Sequence, residues 1–223
     1  MIGQPGRWRN PSYPGRVLTV TAPSRAADLD AAADLLAEGF AADPLIGAVL
    51  PGDPDRRRDR LARFYRVWLH APEDGRVIDL ARRADGEIVG VAVWHAPGAP
   101  EHRASPRLAW RVWRALGSSG SRAWARMERA FAAARPAAPH WYLSDVVVSG
   151  RARGEGVGSA LLGHRLAAAD QAGAAAYLEA TSPGSRRLYE RLGFTARGPI
   201  GGLPGVGVAP ESMWRDPAGL TRR

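Results

Sequence analysis

Cysteine is absent from the 223 residues, and so is lysine. Without cysteine there is no disulfide, no thiolate nucleophile and no cysteine-ligated zinc. Without lysine, every basic side chain behind the net charge of +9 is an arginine. Together with abundant alanine, this reads as a compositional bias rather than a phosphate-binding face. Neither zinc-finger spacing nor an RRM-type aromatic motif accompanies it, so no nucleic-acid partner is expected, and no metal. Nothing approaches the length of a membrane-crossing helix, and residues 1–15 lack the apolar run of a signal peptide. A cytoplasmic protein away from the membrane is the expectation.

What is present is 45% hydrophobic, enough to bury one good core in a chain of this length. The most informative stretch is 140–194. Residues 141–148 are apolar, aromatic and β-branched, as in a strand, and Ser149-Gly150 breaks it. R-x-R-G-x-G-x-G follows from Arg151 to Gly158. Val157, Ala160, Leu161, His164 and Ala168 then recur at helical spacing to Gln171. A second strand is predicted over 175–181, and a short helix over 186–192 capped by Ser185, with Gly193 as its left-handed stop. A glycine-rich turn between strand and helix lets the backbone approach a ligand. It also leaves the first helical N–H groups pointing at whatever anion sits there. By itself such a turn need only cap a helix.

The second block, LEATSPGSRRLYERLGF, changes that reading. With the first it resembles the GCN5-related N-acetyltransferase (GNAT) family, over about residues 17–215. Arg151, Gly154 and Gly156 stand at the positions of the family's Q/R-x-x-G-x-G/A motif. Leu188, Tyr189, Glu190, Gly193 and Phe194 match its later L/F-Y-E-x-x-G-F motif. FYRVW, VAVWHAP and the second block look most like the puromycin N-acetyltransferase-like branch. The resemblance implies one α/β (α+β) domain over 16–217, with a mixed, mostly antiparallel sheet and helices on both faces. It implies acetyl-coenzyme A as donor and a primary amine of a small molecule as acceptor, joined directly in a ternary complex, by a monomer or homodimer. A protein or peptide acceptor, or a non-catalytic acyl-CoA-binding module, are the alternatives.

Around this block, residues 1–15 read as a loose tail, with Trp8 and Tyr13 unplaced, and 218–223 as another. Residues 17–21 alternate like a first strand, and Ser24 caps a helix that ends at Asp43-Pro44. A second helix runs over 55–70 with Leu61, Phe64, Tyr65 and Trp68 on one face. Residues 76–83 and 87–95 form a hairpin about Asp85-Gly86. Residues 98–136 are an insertion, with two helices between 108 and 134 separated near 117–120, serving as a lid or a packed spacer. A glycine-rich loop and a last strand near 211–215 close the chain.

Under the resemblance, Arg151, Arg153, Gly154, Glu155, Gly156, Val157, Gly158 and Ser159 hold the coenzyme's diphosphate, with the Glu155 side chain out in solvent. Val146, Val147 and Val148 pair with the pantetheine arm, and a backbone N–H of Val147 or Val148 meets the thioester oxygen. Ser185 replaces the usual asparagine that bonds the arm. Tyr189 is the general acid, since a phenol of pKa about 10 can protonate a thiolate whose thiol has pKa about 8.5. Asp145 shares a face with Val147 and is the base or ammonium ligand; His140, Ser144 and Glu179 are weaker proton acceptors. Phe40, Phe64, Trp68 and Trp94 are candidates for the acceptor wall. Leu45 and Ile46 are lesser ones, and His95 is a possible neighbour of the site.

Overall fold

Eight strands form one sheet in the order β1-β2-β3-β4-β5-β6-β8-β7. The computed structural model describes residues 6–9, 17–72, 75–99, 105–203 and 209–219. Tyr13, residues 100–104 of the insertion, the loop 204–208 and the last four residues lie outside that set, as does the side chain of Trp8. The strands are β1 (Gly6–Arg9), β2 (Val17–Thr21), β3 (Arg76–Arg82), β4 (Ile88–His95), β5 (His140–Val148), β6 (Ala175–Ala180), β7 (Thr195–Pro199) and β8 (Glu211–Arg215). Every neighbouring pair is antiparallel except β5 and β6, which are parallel. Part of the expected N-terminal tail is therefore a strand: Gly6–Arg9 adds to the edge of β2.

The helices are α1 (Ala26–Ala41), α2 (Pro44–Val49), α3 (Pro54–Leu69), α4 (Pro106–Ala134), α5 (Val157–Gln171) and α6 (Pro183–Arg191). Side-chain alternation along β4 assigns them to two faces. Val91 and Val93 belong to a core shared with Leu36, Leu61, Phe64, Leu116 and Phe131, which puts α1 to α4 on that side. Ala92 and Trp94 belong to a second core with Leu161, Leu162 and Tyr189, which puts α5 and α6 on the other. Gly39 of α1 brings its backbone so close to β5 that a Cβ there would lie 2.3 Å from a Val147 methyl.

Local chemistry explains where the elements start. Asp43, expected only to end α1, accepts from the Ile46 N–H and begins α2, a six-residue helix too short to show periodicity. The N-cap of α1 is Arg25, not Ser24; the Ser24 N–H and hydroxyl instead donate to the buried Asp28. The cap of α6 is Ser182, with Ser185 three residues on closing a reciprocal capping box, so the helix starts earlier than the sequence suggests. Gly193 (φ 90°) ends it left-handed, as expected. The two helices of the insertion form one span broken at Gly117 (φ 71°, ψ 170°). Ala115, Leu116, Met127 and Phe131 bury into the first core.

A buried ion pair ties α5 to the sheet. Arg165 Nε donates to Asp79 Oδ2 at 3.0 Å and its Nη2 to Oδ1 at 2.6 Å, and the guanidinium also lies over the Trp141 ring.

Candidate active site

β5 holds the chemistry because it changes partners and register midway. Its parallel pairing with β6 stops at Leu143 and Leu178, although both strands continue, so residues 144–148 have β4 on one edge and no strand on the other among the described residues. Beside this opening Val93 pairs with Asp145 but Trp94 with Leu143, which leaves Ser144 as an extra residue. The bulge resets alternation: Asp145 and Tyr142 both look toward the first face, and Leu143 looks toward the second. Ser144 is spent on the bulge, its hydroxyl donating to Val93 O at 3.2 Å.

Backbone alternation decides which β5 groups face the gap. Ser149 N–H donates to Val89 O, so Val147, two residues back, also turns its N–H to β4. The N–H groups of Val146 and Val148 point into the opening. Of the two expected oxyanion donors, Val147 turns its N–H to β4 and Val148 turns its N–H into the opening.

Past Val148 a 3-10 turn (Gly150–Ala152) leads to Gly154 (φ 79°) and Gly156 (φ 81°), left-handed positions that a side chain would strain. Gly156 is the N-cap of α5 and no side chain caps that helix, so the N–H groups of Val157, Gly158 and Ser159 have no intrahelical acceptor. Arg151 and Arg153 are exposed beside them. A cavity bounded by Leu35, Gly39, Val147, Val148, Gly150 and Arg153 joins this turn to the strand edge. Two expectations for the turn change. Glu155 does not point to solvent: both its carboxylate oxygens accept from Arg83 Nη2, at 3.0 and 3.1 Å. Its own N–H is already bound to Ala152 O. Glu155 thus fastens the loop to the β3–β4 hairpin. Ser185, for its part, has its hydroxyl engaged within the α6 cap.

On the first face, Tyr65 of α3 donates to Asp145 Oδ1 at 2.9 Å. Burial pushes the Asp145 carboxyl up, against the opposing pull of Tyr65, Ser144 and the charge of His95. The Tyr65 phenol is raised well above its ordinary value by burial and by Asp145. Around them Phe40 lies near the Tyr65 ring, Phe64 meets Tyr65 edge-on with centroids 5.1 Å apart, and Trp68 packs near both Tyr65 and His95. Phe64 is buried among these rings, so it supports the wall from behind. Trp94 does not belong to it: fully buried in the second core, it faces away, and its neighbour His95 takes the place, stacked on Tyr142 at 5.6 Å. Leu45 and Ile46 are core residues.

Two further carboxylates border this wedge. Glu179 is the first β6 residue beyond the split; burial raises it to about 8. Glu128 of α4 is raised to about 7 by burial and then by the charge of Asp145. Glu128 is exposed to solvent along α4, so its crowding is that of a cleft wall rather than an interior. His140 is engaged elsewhere, its Nδ1 against Ala138 O at 2.6 Å and its ring against Tyr177 and Trp214.

Tyr189 approaches from the opposite side. It is buried in the second core, edge-on to Phe194, and its phenol is raised by burial first and the charge of Glu179 second. It therefore stays protonated at neutral pH. The structure does not put Tyr189 and Asp145 together; they flank the opening from its two faces. Of the residues gathered here, Tyr65 is placed from sequence only on an apolar helix face and Glu128 is not singled out. His95, expected as a possible neighbour of the site, lies beside Trp68 and Tyr142, one residue past a buried tryptophan in an alternating strand.

An uncapped helix N-terminus able to receive an anion, an open strand edge leading from it, and a phenol and a carboxylate flanking the gap are what an acyl-coenzyme A-dependent transferase requires. The sequence model of the acetyltransferase (GNAT) family matches residues 44–194, and the chain belongs to that family. It is an N-acetyltransferase. A crystal structure titled histone acetyltransferase HPA2 and related acetyltransferase, from Corynebacterium glutamicum, is similar at 36% identity over 89% of this chain and 96% of that one, with TM-score 0.67. Arylalkylamine N-acetyltransferase 2 of Aedes aegypti shares the fold at 18% identity, 89% and 98% coverage and TM-score 0.58. So does a GNAT superfamily phosphinothricin acetyltransferase from Sinorhizobium meliloti in complex with AcCoA, at 18% identity, 89% and 88% coverage and TM-score 0.50.

Proposed function

We propose that this chain transfers the acetyl group of acetyl-coenzyme A to a primary amine of a small molecule, both bound at once, in the manner of the puromycin N-acetyltransferase-like branch. The observation that carries the acceptor assignment is the Tyr65–Asp145 hydrogen bond at the bulge, inside a wall of aromatic rings. An acidic group enclosed by rings suits an amine on a compact, apolar body.

The N–H groups of Val157, Gly158 and Ser159, with Arg151 and Arg153, hold the diphosphate. Val146 and Val148 pair with the pantetheine arm along the open edge, and the Val148 N–H stabilises the negative charge that develops on the thioester oxygen. Tyr65 occupies one oxygen of Asp145 and leaves the other for the amine, directly or through a water. As the nitrogen bonds to the carbonyl carbon, Asp145 takes the amine's proton. As the C–S bond breaks, Tyr189 donates its proton to the departing sulfur. The α4 insertion serves as a fixed part of the acceptor wall, through Trp124 against Phe64 and through Glu128. A monomer or homodimer in the cytoplasm, acting on neither nucleic acid nor membrane, completes the reading.

A protein acceptor is the rival, favoured by the name of the 36% identical relative. Thiol release measured across a panel of aryl and alkyl amines and of short peptides with free N-termini or lysines separates the two. Turnover with small amines at lower KM than any peptide supports the proposal; turnover confined to peptides overturns it.

A further inference from the structure

Arg135, the residue after α4, lies flat against the site from within. Its guanidinium carbon is 3.6 Å from the centre of the Tyr142 ring. That ring stacks on His95 and lies 6.1 Å from Tyr177, on the face that carries Asp145. Arg135 has its Nε buried without a hydrogen-bond partner among the described residues. Its charge nevertheless reaches both Glu128 and Glu179 and stabilises their ionised forms. Glu179 Oε1 is likewise buried and unpartnered; the Tyr142 and Tyr177 hydroxyls are near enough to act on it, yet Tyr177 falls short of a hydrogen bond. A cation on an aromatic face between two carboxylates is what a ligand-binding cation subsite looks like. Here the chain's own arginine occupies it.

We infer that Arg135 is a specificity-determining residue: it fills a second cation subsite formed by Tyr142, Glu128 and Glu179, and so restricts the acceptor to amines with a single positive charge. The inference rests on the amine-acetyltransferase reading above. An acceptor with one ammonium group takes the Asp145 end and meets an occupied, neutralised far end. A diamine would bring a second ammonium against the Arg135 guanidinium, a like-charge juxtaposition that disfavours binding. Without Arg135, Tyr142 and the two carboxylates are free to receive that second ammonium.

The test compares wild type with Arg135→Met, which keeps most of the side-chain length and removes the charge. 2-Phenylethylamine and 1,5-diaminopentane serve as probes. The expected result is that the kcat/KM ratio of diamine to monoamine rises on the order of tenfold or more in Arg135→Met, and that adding Glu179→Gln removes most of the rise. An unchanged ratio overturns the inference, as does a rise that survives Glu179→Gln. Arg135→Gln is the second variant should Arg135→Met not fold. Calorimetry of 1,5-diaminopentane with each protein, saturated with coenzyme A, reads the same preference without turnover. Tighter diamine binding by the variants than by wild type supports the subsite even if neither amine is acetylated, in which case the function proposed above fails alone.

Discussion

In the proposed reaction Tyr189 acts protonated and Asp145 ionised; burial favours the first state and opposes the second. Burial keeps the Tyr189 phenol protonated, hence a donor, through the neutral range. Tyr189→Phe should lower kcat by about 10²-fold or more while leaving the Kd for acetyl-coenzyme A nearly unchanged, because the coenzyme is held mainly by backbone groups. Stopped-flow thiol release beside equilibrium binding checks this, and an unaltered kcat removes Tyr189 as the acid. Asp145 must be ionised to accept a proton and burial raises it, so activity should appear as pH rises through that elevated value. Asp145→Asn should reduce kcat and move the onset of activity to higher pH; a pH profile that keeps its wild-type onset counts against Asp145 as the base. Glu179 shows the same physics as stability. Its folded pKa of about 8 lies above the ordinary carboxylate value, so its contribution is fully present at low pH and is lost as pH rises toward 8. Glu179→Gln should therefore raise Tm by a few °C at pH 9, the size about 1 kcal/mol gives in a chain of this length, and by less at pH 5. Thermal scans at the two values decide it.

Single elements explain why some of the site was legible in the sequence and some was not. The β5–turn–α5 unit could be read because each part has its own local cause: β-branched residues for the strand, left-handed glycines for the turn, buried residues such as Val157, Ala160 and Leu161 at helical spacing for the helix. Gly156→Val should strain φ 81° and disturb the helix start, weakening coenzyme binding at least tenfold, on the order of one lost charge-assisted hydrogen bond, without unfolding the protein. The bulge at Ser144 left no comparable trace. It depends on how β4 and β5 settle against each other, and it is why Tyr142 and Asp145 share a face. Trp94, expected at the acceptor wall, faces the second core because alternation along β4 sets it opposite to Val93. The start of α6 was displaced because two serines three residues apart both suit a cap, and only the fold shows that they cap reciprocally. Tyr65 comes from α3, far from β5 in sequence, and Glu128 and Arg135 come from the end of α4 and the residue after it; tertiary packing sets them against β5. Asp79–Arg165 belongs to this scale as well. Asp79→Ala should cost about 3–5 kcal/mol by leaving Arg165 uncompensated against the sheet, measured by urea denaturation.

Across the whole molecule, one sheet separates two cores, and the opening between β5 and β6 is where material from both sides can meet. The proposed coenzyme turn and Tyr189 rest on the second core, and the proposed acceptor wall on the first. The net charge of +9 adds a field that favours a polyanionic donor, so kcat/KM for acetyl-coenzyme A should fall as ionic strength rises. Beneath all of this is the claim that the uncapped N-terminus of α5 and the free edge of β5 receive acetyl-coenzyme A. Isothermal titration of the purified chain with coenzyme A tests it most directly. The account predicts saturable one-to-one binding that Gly156→Val weakens, and a titration without binding heat at any temperature tried would contradict it.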